Sequence, residues 1–150
     1  NHELRTMNHA CAVHLKYAYQ LASGSKKAEI YKGAYQGVGA GWADFNPQLG
    51  HPFTVYLFQG ARIATVCHRL TFNYEWNLGL AMGWNPYNAE DNVSNLVIGS
   101  KVTAYIDADF YLSYRLSRQL DFNIGASVTH YSNGNTKFPN AGLNTAGIRA

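Results

Sequence analysis

The sequence predicts an all-β fold, an antiparallel up-and-down transmembrane β-barrel, from three observations. Charged residues make up only 14% of the 150 residues, against roughly 25% in a typical soluble domain. Aromatic residues also reach 14%, led by Tyr, and the chain contains 14 Gly. Long segments alternate between apolar and polar side chains. Low charge, many aromatic residues and alternating strands are together typical of outer-membrane barrels.

The clearest alternation covers residues 102–116, where even positions are apolar and odd positions are mostly polar. A period of two indicates a β-strand, and a tilted strand needs about 9–11 residues to cross a membrane. Residues 70–84 and 119–131 repeat the pattern, again with the apolar side chains at even positions. Because only residues 117–118 separate the first segment from the third, we expect these two strands to form a tight hairpin.

Weaker alternation elsewhere predicts further strands at residues 11–21, 34–42 and 53–66, and the start of a last strand near Thr145. Glycine, proline and polar residues predict loops at residues 22–27, 46–52 and 85–95. The length predicts one domain over residues 1–150. Bacterial membrane barrels have an even number of strands, from eight upward. We therefore expect a barrel of the eight-stranded type that is incomplete in this chain, with strands missing at one or both ends.

The direction in which the apolar face points separates two architectures. In a membrane barrel this face contacts lipid and the polar face lines the interior. The polar face carries Asp107, Asp109 and Arg115, which we expect to form an interior ion-pair network. Trp76 and Trp84 lie on the apolar face with the spacing of interface anchors, which favours the membrane barrel. The alternative is a soluble, lipocalin-like ligand-binding barrel with the apolar side chains inside.

Cofactors and most partners are constrained by what the sequence lacks. Cys11 and Cys67 fit no metal spacing, and we expect free thiols, with a disulfide as the alternative in an oxidising compartment. The histidines before residue 130 show no ligand spacing, so we expect no metal and no cofactor. The chain has no basic run, so nucleic acid is not an expected partner. Membrane lipid is an expected partner, and a homodimer is left open.

The strand that ends near residue 131 carries the candidate chemistry. His130 and Ser132 are two residues apart, so on an extended strand they point to the same face. They continue the even, lipid-side register of that strand, where a histidine is costly unless it serves a function. A base and a hydroxyl on one face can perform nucleophilic ester hydrolysis, and this placement suits a substrate that lies in the bilayer.

Residues that follow the pair could support it. Asn133, Gly134 and Asn140 lie where turn amides and side-chain amides could hold an oxyanion. The alternative is that His130 is an interfacial residue and that the segment after Ser132 is only a turn.

The run His130-Tyr131-Ser132-Asn133, followed by Pro139-Asn140 and Gly142-Leu143-Asn144, resembles the active-site segment of the PagL-type lipid A deacylases and their acyloxyacyl-hydrolase-like relatives from Bacteroidetes. Segments near Tyr35, Phe58 and Asn73 are also similar, so the resemblance covers most of the chain. It implies an eight-stranded outer-membrane barrel with a serine–histidine–acid site on its outer wall. The implied reaction removes an ester-linked acyl chain from lipid A without a metal, with lipopolysaccharide as the substrate.

The chain departs from this family at one catalytic position. The family's acid falls on Asn144, and no Asp or Glu follows His130 in this sequence. An Asn can orient a catalytic imidazole, as in Cys-His-Asn proteases, but it stabilises an imidazolium less than a carboxylate does. Glu75 is the alternative acid, although its odd position predicts that it points into the barrel. The alternative function is a catalytically silent outer-membrane barrel with a structural or lipid-binding role.

Overall fold

The computed structural model describes residues 10–20, Lys26 and residues 32–150, and this part of the chain is built from β-strands. In chain order the strands are β1 (Cys11–Gln20), β2 (Tyr35–Asp44), β3 (Gly50–Cys67), β4 (Leu70–Trp84), β5 (Val102–Arg115), β6 (Asp121–Ser132) and β7 (Leu143–Arg149). Of the predicted loop at residues 22–27, only Lys26 lies within the described residues. No helix among the described residues is long and apolar enough to cross a membrane.

Each strand pairs antiparallel with the next, so the sheet has the up-and-down order β1 to β7. The predicted all-β, up-and-down fold is confirmed. The hairpin between β5 and β6 is also confirmed, with Arg115 opposite Asp121. The expected two-residue link is wrong, because the amides of Leu116 and Ser117 both donate to the carbonyl of Leu120 at 3.0 Å. These bonds close a longer turn over residues 116–120.

The even-numbered face of β4, β5 and β6 points outward. Its large apolar side chains are exposed, and they include Leu78, Leu80, Ile106, Phe110, Phe122 and Val128. A soluble lipocalin-like barrel would bury Trp76, Phe110 and Leu112, but these side chains are 43%, 55% and 39% exposed. The sheet therefore has the apolar-out, polar-in arrangement that outer-membrane barrels share.

A polar network fills the interior. Asn77 donates from Nδ2 to Asp107 at 2.6 Å and to Asp109 at 3.2 Å, and all three side chains are buried. The cations are Lys16 on β1, which pairs with Glu75, and Arg149 on β7, which pairs with Asp109. This pairing is what a buried charge requires.

Arg115 does not belong to that network, so the expected triad of Asp107, Asp109 and Arg115 is wrong in its cation. Arg115 lies at the end of β5, where it is 67% exposed and pairs with Asp121 at 3.6 Å. The odd position of Arg115 was predicted correctly, but the residue lies so near the end of β5 that it is outside the interior network. Lys16 and Arg149 come from strands with weaker alternation.

Trp84 is buried in the interior, so its predicted role as an outer interface anchor is wrong. Gly83 has a φ of +90°, and its amide bonds to the carbonyl of Lys101 at 3.1 Å. This left-handed residue breaks the alternation of β4 by one position. Trp84 turns inward, is 4% exposed and donates from its indole nitrogen to Thr103 Oγ1 at 2.9 Å.

The sheet ends at β1 and β7, which share no backbone pairing among the described residues. A cleft of about 610 Å³ lies between these edges and opens onto Lys16, Asp107 and Asp109. The prediction that further strands complete a barrel stays a prediction. Cys11 and Cys67 are both free and exposed.

Candidate active site

His130 and Ser132 lie near the end of β6 and point outward, as their even positions predict. Their neighbours Thr129 and Tyr131 are buried inside at 8% and 5% exposure, whereas His130 and Ser132 are half-buried. The alternation of the strand therefore gives the two side chains a common face on the outer wall.

The inward-facing residues that alternate with His130 and Ser132 hold this end of β6 in place. Thr129 donates from Oγ1 to Asp107 at 2.7 Å. The Tyr131 ring packs edge-on against Trp84 at 5.0 Å and against Phe45 at 5.9 Å between ring centroids. Aromatic pairs at these separations and tilts are favourable beyond their burial. The backbone that carries His130 and Ser132 is thus held by a packed aromatic cluster.

Asn144 lies directly opposite His130, because β6 and β7 pair in that register. Nδ1 of His130 is 2.7 Å from Oδ1 of Asn144. An amide oxygen only accepts hydrogen bonds, so this contact assigns the ring proton to Nδ1 and leaves Nε2 with its lone pair. The position that the family resemblance gave to the acid is therefore in direct contact with the imidazole.

Ser132 interacts with the turn that follows it. Its Oγ accepts a hydrogen bond from the amide of Gly134 at 3.1 Å. The side chains of His130 and Ser132 make no hydrogen bond to each other. Gly134 has a φ of +64°, and no atom lies within 4 Å of where its Cβ would be. The amide of Gly134 thus lies beside the candidate nucleophile.

The two asparagines expected to support the site have different surroundings. Asn133 is buried at 9%; its Nδ2 donates to the carbonyl of Lys137 at 2.6 Å and its Oδ1 accepts from the amide of Asn135 at 3.0 Å. Its side chain therefore organises the loop, and one of its two Nδ2 hydrogens is used in doing so. Asn140 is half-buried in the same loop, and its side chain makes no hydrogen bond to another described residue.

Two glycines with close neighbours shape the site. A Cβ on Gly142, where φ is +70°, would lie 3.2 Å from Cε1 of His130. A Cβ on Gly99, in the loop between β4 and β5, would lie 2.6 Å from the carbonyl oxygen of Pro139. Gly142 thus leaves room for the imidazole, and Gly99 lets the backbone of the β6–β7 loop rest on the neighbouring loop.

Glu75, the alternative acid, is remote from His130. It is 5% exposed in the interior, where it pairs with Lys16 and accepts a hydrogen bond from Tyr35 at 2.9 Å. The inward direction predicted from its odd position is correct.

A comparison with protein-family models matches residues 12–150 to the family described as lipid A 3-O-deacylase (PagL). The chain belongs to the PagL family. No curated protein and no solved structure was found to match the chain. Membership extends over almost all of the sequence, so it covers β1 to β7 and the segment that holds His130, Ser132 and Asn144.

For this PagL-family chain, sequence reasoning located the outward pair and its opposite residue but missed the parts that position them. Gly142 stood in the quoted motif with no role, and Gly99 was not singled out. The only local signal for Gly99 is a glycine in a loop, which is common. Its importance comes from contact with residues about 40 positions later, which spacing does not reveal.

Proposed function

We propose that this protein is an outer-membrane esterase that hydrolyses an ester-linked acyl chain of lipid A by serine–histidine catalysis. Membership of the lipid A 3-O-deacylase family supports the substrate class. The observation that carries the catalytic assignment is the 2.7 Å contact between His130 Nδ1 and Asn144 Oδ1, on the same outer face as Ser132. A base held by a third group next to a nucleophile is the general arrangement of such sites.

In the proposed reaction, Oγ of Ser132 attacks the ester carbonyl while Nε2 of His130 accepts the hydroxyl proton. The bond between the acyl carbon and the sugar oxygen then breaks, and His130 returns the proton to the leaving alcohol. Water, activated in the same way, attacks the acyl-serine ester and releases the fatty acid. Asn144 keeps the imidazole in the tautomer and orientation that both half-reactions need. All of these groups belong to the chain, so the proposal includes no metal or cofactor.

The oxyanion of each tetrahedral intermediate needs donors close to Ser132. The amide of Gly134, which is 3.1 Å from Oγ, is the first of these donors in the proposal. The side-chain amide of Asn140 is the second donor, since it makes no hydrogen bond to another described residue. Asn133 acts through the loop, because both its Nδ2 and its Oδ1 bond to the loop backbone, at Lys137 and Asn135.

The outward direction of the site suits an insoluble substrate. His130 lies opposite Ile106 on β5, and Val128 and Ile148 are exposed on the same wall. An acyl chain that lies against this apolar wall would present its ester at the level of Ser132. We accordingly place the protein in the outer membrane, with membrane lipid as its surroundings.

The direct test is mass spectrometry of lipid A after incubation with the purified protein in detergent and with Ser132→Ala or His130→Ala. We expect acyl release to fall by at least about a thousandfold in either variant, since members of a catalytic unit fail together. Ser127→Ala, an inward serine on the same strand, is the matched control and should keep normal activity. Undiminished acyl release in both site variants would refute the catalytic assignment.

A catalytically silent barrel is the second candidate, and the neutral Asn144 favours it. A carboxylate would stabilise the imidazolium that forms during proton transfer better than an amide does. If the site is weakened in this way, Asn144→Glu should raise acyl release by about tenfold or more. Asn144→Leu, which removes the acceptor, should lower it if Asn144 works as proposed. Zero activity in the wild type and in Asn144→Glu would favour the silent barrel.

A further inference from the structure

A second polar cleft lies at the end of the sheet opposite His130 and Ser132. Its volume is about 130 Å³, and it is formed by the β3–β4 turn and the ends of β5 and β6. The lining residues are Arg62, Thr65, His68, Arg69, Thr71, Ser113, Arg115 and Asp121. Because an apolar cavity of about 150 Å³ can hold a benzene molecule, this cleft has room for one compact ligand group.

Among the described residues, the cleft belongs to a part of the sheet that is built by β3 to β6. The pairing of β2 with β3 ends at Gly60, and the pairing of β6 with β7 ends at Gly125. Among the described residues, β3 to β6 continue past these points as a four-strand extension over residues 61–67, 70–74, 110–115 and 121–124. The inner face of this extension lines the cleft, with Thr71 and Ser113 paired across it.

The charges in the cleft are unbalanced. It contains three arginines and one acid, and Asp121 interacts with Nε of Arg115 at 3.6 Å. Within the described part of the chain, the guanidinium groups of Arg62 and Arg69 have no ion-pair partner. Like charges held together at a concave site favour an anionic ligand. Arginine forks and nearby hydroxyls match the geometry of a phosphate.

We propose that this cleft binds a phosphate-type anion through Arg62, Arg69 and Arg115, assisted by the hydroxyls of Thr71 and Ser113. The outer face of the four-strand extension is apolar as far as its turns, with Leu116 and Leu120 exposed at 52% and 59%. In a membrane, the cleft would therefore lie at headgroup depth, in the leaflet opposite the candidate active site. The anion is either the phosphate of an anionic phospholipid headgroup or free phosphate. Binding of free phosphate does not depend on the proposed esterase function.

The first measurement is a calorimetric titration of the purified protein with inorganic phosphate. It is made in neutral detergent, and sodium chloride keeps the ionic strength constant. We expect saturable binding that weakens about tenfold or more in Arg62→Gln and in Arg69→Gln, because each loses a charge-assisted bond. Arg118→Gln is the matched control. It removes the same charge from the β5–β6 turn at the same end, but Arg118 does not line the cleft.

A second arm uses vesicles of phosphatidylglycerol or phosphatidylcholine and measures binding of the same variants, each checked for folding by circular dichroism. Arg69→Lys keeps the charge but loses the fork, so it should bind more weakly than wild type and more tightly than Arg69→Gln. If Arg69→Gln loses binding of inorganic phosphate, free phosphate is a ligand. If Arg69→Gln loses binding only to the phosphatidylglycerol vesicles, the ligand is the lipid headgroup. The proposal is overturned if neither probe binds saturably, or if Arg118→Gln weakens binding as much as Arg69→Gln.

Discussion

The imidazole of His130 is held by groups on two sides of its ring. Asn144 contacts Nδ1 at 2.7 Å, and Gly142 lies against the edge that carries Cε1 and Nε2. A larger residue would be strained there, because its Cβ would approach Cε1 to 3.2 Å and the φ of +70° is in the left-handed region. A single position thus controls both the turn before β7 and the room beside the proposed base.

Gly142→Ala should therefore lower acyl release by about tenfold to a hundredfold, because a displacement of about 1 Å at a catalytic group can cost that much. Gly33→Ala is a closely matched control. Gly33 has a φ of +69°, and its Cβ would lie 3.2 Å from Nε2 of Gln20 at the far end of the sheet. Both variants carry similar backbone strain, so equal activities would show that the contact with His130 has no catalytic importance.

The roles of these residues could be predicted from the sequence to different degrees. The common face of His130 and Ser132 follows from a period of two, which is a local property of any strand. Asn144 was reached through the family resemblance alone. Its contact with His130 requires the register between β6 and β7, and that register is set by pairing between segments separated by a ten-residue loop.

Among the elements, the loops at the end of the sheet near His130 support one another. Asn95 donates from Nδ2 to the carbonyl of Asn85 at 2.7 Å and accepts from the amide of Ile98 at 3.0 Å, which makes the β4–β5 loop compact. Gly99 at the end of that loop contacts the backbone of Phe138 and Pro139. The β4–β5 loop is therefore the platform on which the β6–β7 loop, and with it Asn140, is placed.

Gly99→Ala should displace the β6–β7 loop, because the new Cβ would lie 2.6–2.8 Å from backbone atoms that cannot rotate away. Overpacking of this kind costs about 1–3 kcal/mol, and we expect acyl release to fall by at least about tenfold. Thermal unfolding and lipid A mass spectrometry measure the two effects. Gly147→Ala is the control, since its Cβ would meet only Ser127 Oγ at 3.8 Å. Equal effects of both substitutions would contradict the platform role.

Strand β4 illustrates the limit of alternation as a guide to direction. From Leu70 to Met82 the pattern predicts the outward face correctly, but Trp84 points inward because Gly83 adopts a φ of +90°. A glycine in a strand permits such a break without requiring it. Whether it occurs depends on the bond from Gly83 to Lys101 and on the space beside Phe45 and Tyr131.

Across the whole molecule, charges in the interior connect strands that do not pair. Glu75 on β4 contacts Lys16 of β1, and Arg149 of β7 approaches the same carboxylate at 3.4 Å. The two edge strands of the described sheet are thereby joined to one buried acid on the opposite wall. Burial makes this arrangement sensitive to the loss of a single charge.

Glu75→Gln should lower the free energy of unfolding by about 3–5 kcal/mol, because it leaves the ammonium of Lys16 buried without its carboxylate. Adding Lys16→Met to Glu75→Gln should recover part of the loss. Asp121→Asn, which breaks the exposed pair with Arg115, should cost only about 0–1 kcal/mol. Thermal unfolding in detergent compares the three variants, and similar losses for Glu75→Gln and Asp121→Asn would contradict a stabilising role of the interior network.

The sequence by itself determined the all-β class, the strand order and the inward or outward direction of most side chains, because alternation is local and a hairpin needs only neighbouring segments. It also placed His130 and Ser132 on the outer wall and Glu75 inside. Only the tertiary structure decided which cation joins Asp109, where Trp84 points and how Gly99 and Gly142 seat the loop around His130. Those outcomes depend on register, on close contacts between distant segments and on where a strand extends beyond the interior network.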